Sequence, residues 1–241
     1  MRNHLLLCVF SLVCFCSCGK RTIKGKGETI TVNPSVTGNF SAIKVQAPLS
    51  VKIHIVQGAS NAVQFYGYKN LIDHLRAKVE DNTLIIESKH SLRFDTDHDI
   101  EAEVTTSSLN ALHIQGMSDV KVDGDISGSD FKLAIGGAGD VEIEQLHVNK
   151  LEAVISGAGN VDISKGVVNQ AEFKVSGAGN ISSYGVQADH VKAKVSGAGD
   201  IEVFARQTLD AKVTGAGTIS YKGSPSVQSK TSGIGSVVAA N

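Results

Sequence analysis

The chain has 241 residues and a net charge of −1, with 20% of its residues charged. That balance excludes a disordered chain and a dedicated nucleic-acid binder, which needs a basic surface. Three prolines against 25 glycines exclude a collagen-like or proline-rich stalk.

Met1–His4 is a short basic start, and Leu5 to Phe15 is an apolar run broken only by Ser11. The run is too short for the ~20 residues of a membrane span but fits a signal-peptide core. Ser17-Cys18-Gly19 then resembles a bacterial lipobox, although Phe15 stands where an aliphatic residue is usual. Residues 1–17 are therefore read as a signal peptide, Cys18 as a lipidated N-terminus, and 18–27 as lipidated cysteine and tether. Ordinary secretory cleavage is the alternative. All four cysteines (Cys8, Cys14, Cys16, Cys18) lie here, so a thiol catalyst or cysteine-ligated metal in the mature domain is excluded. An exported domain without disulfides must rely on its own core.

Residues 28–241 are read as one domain, with a separate N-terminal β-domain as the alternative. Ile43 to Ile53 aligns position for position with Leu133 to Ile143 and reads as strand, corner and strand. Asn70 to His74 reads as one helical turn. Ala77 to Ile86 reads as strand, tighter corner and strand, and Ile100 to Thr106 as a further strand.

From residue 111 a repeat takes over. Gly-Ala-Gly recurs at 137–139, 157–159, 177–179, 197–199 and 215–217, with degenerate copies at Gly116-Met117-Ser118 and Gly233-Ile234-Gly235. The first glycines, at 116, 137, 157, 177, 197, 215 and 233, are spaced by 21, 20, 20, 20, 18 and 18 residues. Such a period marks a solenoid, a propeller or an array. The flanks alternate apolar and polar, as in Phe131-Lys-Leu133-Ala-Ile135 before a corner and Val141-Glu-Ile143 after one. Alternation with period two means half-buried strands. Twenty residues are too few for a propeller blade of about 40. They suit one rung of a parallel β-helix, with a short third side such as Leu146-His-Val148. The expected fold is all-β: a parallel β-helix with ~18–21-residue rungs, regular over 111–241 and irregular over 28–110.

Several segments together carry a family resemblance. They are Phe40-Ser-Ala-Ile-Lys-Val, Asn70-Leu-Ile-Asp-His followed by Val79 to Glu87, Leu109-Asn-Ala-Leu-His-Ile, and the serial Ser-Gly-Ala-Gly-Asn/Asp-Val/Ile. On these the chain resembles the family called putative auto-transporter adhesin, head GIN domain, over nearly all of 28–241. The resemblance implies a right-handed parallel β-helix that is exported and often lipid-anchored, and it supplies no catalytic residues.

Candidate chemistry is sparse. Asp119, Asp140, Asn160, Asn180 and Asp200 form a corner column, read as a ladder satisfying backbone groups rather than a calcium site. Asp95-Thr-Asp97-His98-Asp99 resembles the start of an EF-hand loop but has Ile100 for its glycine and Thr106 for its glutamate. Gly-Ala-Gly lacks the third glycine and the following helix of a dinucleotide loop. Glu142, Asp162 and Glu202 share an outward column with Ser182, read as a solvated face; no second catalytic group accompanies them. No metal and no cofactor are expected.

Three residues before the repeat glycine stand His113, Ala134, Val154, Lys174, Lys194, Lys212 and Lys230. Stacked in register, the four lysines are a candidate docking strip for an acidic glycan, against a plain solvated face. Tyr66 and Tyr68, on one side of a strand, are a second candidate for stacking on sugar rings, against capping the β-helix end. The chain thus reads as a non-enzymatic envelope lipoprotein of the outer membrane, an adhesin or binding module. Glycan or another surface component is its expected partner, with membrane contact through the anchor only and possible homo-oligomers. The alternatives are a self-associating envelope scaffold and a polysaccharide lyase or hydrolase. The basic residues after Cys18 favour the periplasmic over the outer face.

Overall fold

The computed structural model describes residues 21–89 and 92–240; the expected signal peptide and Cys18 lie outside them. Strands β1 (Arg21–Lys24), β2 (Thr29–Val32), β3 (Ala42–Val45), β4 (Ser50–Ile55) and β5 (Ala62–Tyr68) precede the short helix α1 (Lys69–Ile72). Strands β6 (Leu75–Glu80), β7 (Thr83–Ser88), β8 (Leu92–Asp95), β9 (Glu101–Thr106) and β10 (Ala111–Ile114) follow. Then come β11 (Val120–Ile135), β12 (Val141–Ile155), β13 (Val161–Val175), β14 (Ile181–Val195) and β15 (Ile201–Val213), and finally β16 (Thr218–Lys222), β17 (Ser226–Thr231) and β18 (Ser236–Ala239). From β10 onward neighbouring strands pair in parallel, coil on coil, as a β-solenoid of about six turns.

Each regular coil is one long strand bent twice. In β13 the buried positions are 161, 163, 166, 168, 171, 173 and 175. Alternation slips phase wherever two consecutive residues face out, at Ser164–Lys165 and Asn169–Gln170. Those pairs are the soft corners that divide the coil into three sides, and Ser-Gly-Ala-Gly-Asn is the hard corner. Soft corners absorb the irregular spacing. The 21-residue step has an extra residue between Val122 and Asp125, where Gly124 takes φ +98°. At the first 18-residue step Ser183 faces Val203 but Gln187 faces Phe204, so three residues drop out; one returns between Ala188 and His190.

The hard corner requires glycine sterically. A Cβ on Gly177 would strike the carbonyl oxygen of Gly157 in the coil below, and one on Gly179 that of Gly159. Only between these glycines does a methyl fit, on Ala138, Ala158, Ala178, Ala198 and Ala216, which bridge coil to coil.

The aligned N-terminal segment joins these columns in register. Ile43 and Val45 stack on Leu112 and Ile114, then on Leu133 and Ile135; Val51 and Ile53 stack on Val120 and Val122. The order of coils does not follow the chain. β7 and β9 form the coil beneath β3 and β4, although they come later in sequence. The chain thus lays down its second coil first, drops to the end, and returns to β10 above β3. Residues 77–86, expected as another rung, are instead an antiparallel hairpin, β6–β7. Its turn residues Asp81 and Asn82 both have positive φ, which turns the chain back in two residues. This hairpin and the antiparallel β5–β9 and β2–β5 pairs close the N-terminal end. Arg21–Lys24, expected within a free tether, pairs as β1 with β8 in a separate two-stranded sheet.

Candidate functional site

The corner ladder comes first. The Oδ1 of Asp119 accepts from the backbone N–H of Asp140 at 2.9 Å, Asp140 from Asn160 at 2.8 Å, and Asn160 from Asn180 at 3.2 Å. Asn180 accepts from Asp200 at 2.8 Å and Asp200 from Thr218 at 2.6 Å. Each side chain therefore caps the corner amide of the next coil, and the Nδ2 of Asn160 and Asn180 donate down the same column at 2.9 and 3.1 Å. Removing one rung breaks both an upward and a downward bond. Asn180→Ala is expected to cost about 1–2 kcal/mol, read as a lowered denaturation midpoint. Asn180→Asp keeps the acceptor and should cost less. Equal loss in both variants would deny the ladder this role.

The lysines stand on the side before the hard corner. Lys174 faces Lys194, Lys194 faces Lys212, and Lys212 faces Lys230, all in register. All four are exposed, and none is in an ion pair among the described residues. At the ~4.8 Å strand spacing each neighbouring pair repels by about 0.9 kcal/mol in bulk water. The flanking outward column carries both signs, with Glu172 beside Lys192 and Lys192 beside Asp210.

Further along the lysine column toward the N-terminus, His113 lies between Lys44 and Ala134. Burial lowers its pKa below the ordinary histidine value, and the charges of Lys44 and Lys132 lower it further. The folded protein therefore binds this proton less readily than the unfolded chain does. Stability should be intact above the unfolded value near 6.5 and fall as pH drops from there toward the folded pKa. His113→Asn should remove that part of the pH dependence of thermal unfolding, leaving the acidic side flatter.

The tyrosines are on one side of β5, as alternation requires, but in different surroundings. Tyr66 is exposed, whereas Tyr68 packs on the core. The Tyr68 hydroxyl donates to Asp97 at 2.9 Å, which pushes the tyrosine pKa up and the Asp97 pKa down. The Asp95–Asp99 turn thus clasps a tyrosine. Its ring lies 5.2 Å from that of His98. β5 belongs to the N-terminal closure, so the structure does not bring the tyrosines together with the lysine column. Among the described residues no group of three or more His, Cys, Asp or Glu side chains is placed to hold a metal ion.

One feature escapes sequence reasoning. In the lowest coil an arm at residues 92–100, which carries β8, stands in place of the hard corner between β7 and β9. The arm overhangs the corners 46–49 and 116–119, and two adjoining clefts open beneath it, of about 430 and 610 Å³. Pro48, Met117 and Ala138 line both. The signal was in view: methionine replaces the ridge alanine in Gly116-Met117-Ser118.

The family model described as "Putative auto-transporter adhesin, head GIN domain" matches residues 39–225. A solved putative adhesin from Bacteroides fragilis is 27% identical, with TM-score 0.86, covering 90% of this chain and 100% of that one. A putative adhesin from Parabacteroides distasonis is 22% identical, with TM-score 0.71 and 91% and 100% coverage. A protein from the same species, described as a putative lipid binding protein, is 21% identical, with TM-score 0.73 and 92% and 100% coverage. Both Parabacteroides likenesses show the fold. No curated protein matches the chain.

Proposed function

The chain belongs to the putative auto-transporter adhesin, head GIN domain family, and on that premise we propose that it is a non-enzymatic binding module of the bacterial envelope, exported and anchored through Cys18, that docks acidic glycan along the lysine column. The carrying observation is the register of Lys174, Lys194, Lys212 and Lys230. Four cations with no ion pair among the described residues repeat at the strand spacing along one parallel face. An extended polyanion relieves their mutual repulsion, and it engages all four at once because the solenoid is rigid. Adhesin naming in the family supports binding to a surface component. No helix among the described residues is long and apolar enough to cross a membrane.

The test is the triple variant Lys174→Gln, Lys194→Gln, Lys212→Gln. A lysine near an anionic surface contributes about 1 kcal/mol. The triple change should therefore weaken retention on immobilised polygalacturonate on the order of 100-fold at low salt, with retention on neutral dextran unaltered. Unchanged polygalacturonate retention would sink the reading. Lys121, on the side after the corner and beside Asp123, is the control: Lys121→Gln should leave retention intact.

A further inference from the structure

We propose that the cleft beneath the 92–100 arm receives an acyl chain of the lipid carried by Cys18, so that the anchor docks against its own domain; this rests on the anchoring proposed above. Pro48, Leu49, Phe94, Ile100 and Met117 give the cleft its apolar lining, with Asp99 and Asp119 among its polar residues. Its volume of about 430 Å³ falls in the range of small-molecule sites. Met117 is 53% exposed, where every regular coil places only an alanine methyl, so the cleft holds a large apolar side chain with nothing packed over it.

The path of the chain identifies the occupant. β1 is pinned on β8 with Thr22 opposite Arg93 and Ile23 opposite Phe94, and Gly25 N–H donates to Asp95 at 2.7 Å. Leu92, opposite Arg21, lines the adjoining cleft. The chain therefore runs along the same arm that roofs the groove. Cys18 is three residues before Arg21, so the chain between them can span at most about 10 Å. An acyl chain starting there is tethered at high effective concentration beside the two adjoining clefts that Met117 lines. Arg93, in no ion pair among the described residues, is exposed in the lining of the same cleft as Phe94. The arrangement would hold the domain close to the membrane, with the solenoid axis fixed relative to it rather than swinging on a tether.

The test uses the full chain in bacteria grown with a diazirine-bearing palmitate, which is incorporated into their lipids and lipoproteins. Illumination should join the Cys18 peptide to peptides containing Phe94 or Met117 within one chain, seen by mass spectrometry of the digested protein. Met117→Asp, at an exposed position, should abolish that product while the circular dichroism of the domain stays unchanged. Label on Cys18 with no join to the groove overturns this inference alone. So does a groove peptide joined to free phospholipid, or to a second chain. Absence of label from Cys18 overturns the anchoring reading, and this inference with it.

Discussion

Gly177→Val should be among the most damaging single substitutions in the protein, costing more than about 4 kcal/mol. Its first side-chain carbon would lie inside contact distance of the Gly157 carbonyl oxygen and of the Ser156 carbonyl. Both obstacles are backbone, so no rotamer change relieves the clash. The same oxygen accepts the N–H of Ala178 at 3.0 Å, so separating the coils to make room breaks that corner bond and misaligns the Asn160–Asn180 rung. Stacked coils draw their stability from neighbouring interfaces, and a corner that cannot close divides the solenoid between β13 and the coil above. Guanidinium unfolding should show a much lower midpoint and a reduced slope, as the two halves lose cooperativity. Ala178→Ser, on the exposed ridge one residue away, should stay within about 0.5 kcal/mol of the parent. A Gly177→Val protein as stable as that control would mean that the corner does not determine coil spacing.

What was legible in the sequence was whatever repeats. Gly-Ala-Gly at a near-constant step, with alternating flanks, carries the regular coils, their inward columns and the register of the lysines. The match of Ile43–Ile53 to Leu133–Ile143 placed those residues in the right columns too. Coil order was not legible, because column membership says nothing about height along the axis. β3 and β4 sit above β7 and β9 only because the β5–α1–β6 excursion carries the chain back beneath its own first coil. Alternation is the same in parallel and antiparallel strands, so it does not separate the hairpin at Asp81–Asn82 from a rung; the two-residue turn does. The candidate site divides along the same line. The lysine column follows from period alone. The groove arises from a long arm meeting a short corner, two segments with no shared pattern, and its one local sign was Met117 in place of alanine.

Packing inside the coils supports the second large prediction. Along one inward column stand Phe131, Leu151, Ala171, Val191 and Leu209, and along the next Leu133, Ala153, Phe173, Ala193 and Ala211. The two columns are complementary: where the first narrows to Ala171, the second widens to Phe173. Phe173 is flanked above and below by Ala153 and Ala193, and all are buried. A single aromatic ring thus fills the space that three alanines leave. Phe173→Ala should cost about 5 kcal/mol, the upper end for such a change, because none of the three alanines has side-chain atoms to move into the void. The cavity is apolar, and such cavities stay dry and take up xenon, so xenon should raise the midpoint of the variant but not of the parent. Ala193→Leu alone should destabilise by about 1–3 kcal/mol through overpacking. In the Phe173→Ala background the same substitution should stabilise, since its methyl groups enter the vacated space. That reversal of sign in a double-mutant cycle is the decisive measurement. Additive losses would mean that the coils shift to accommodate volume independently and that the two columns are not one packed unit.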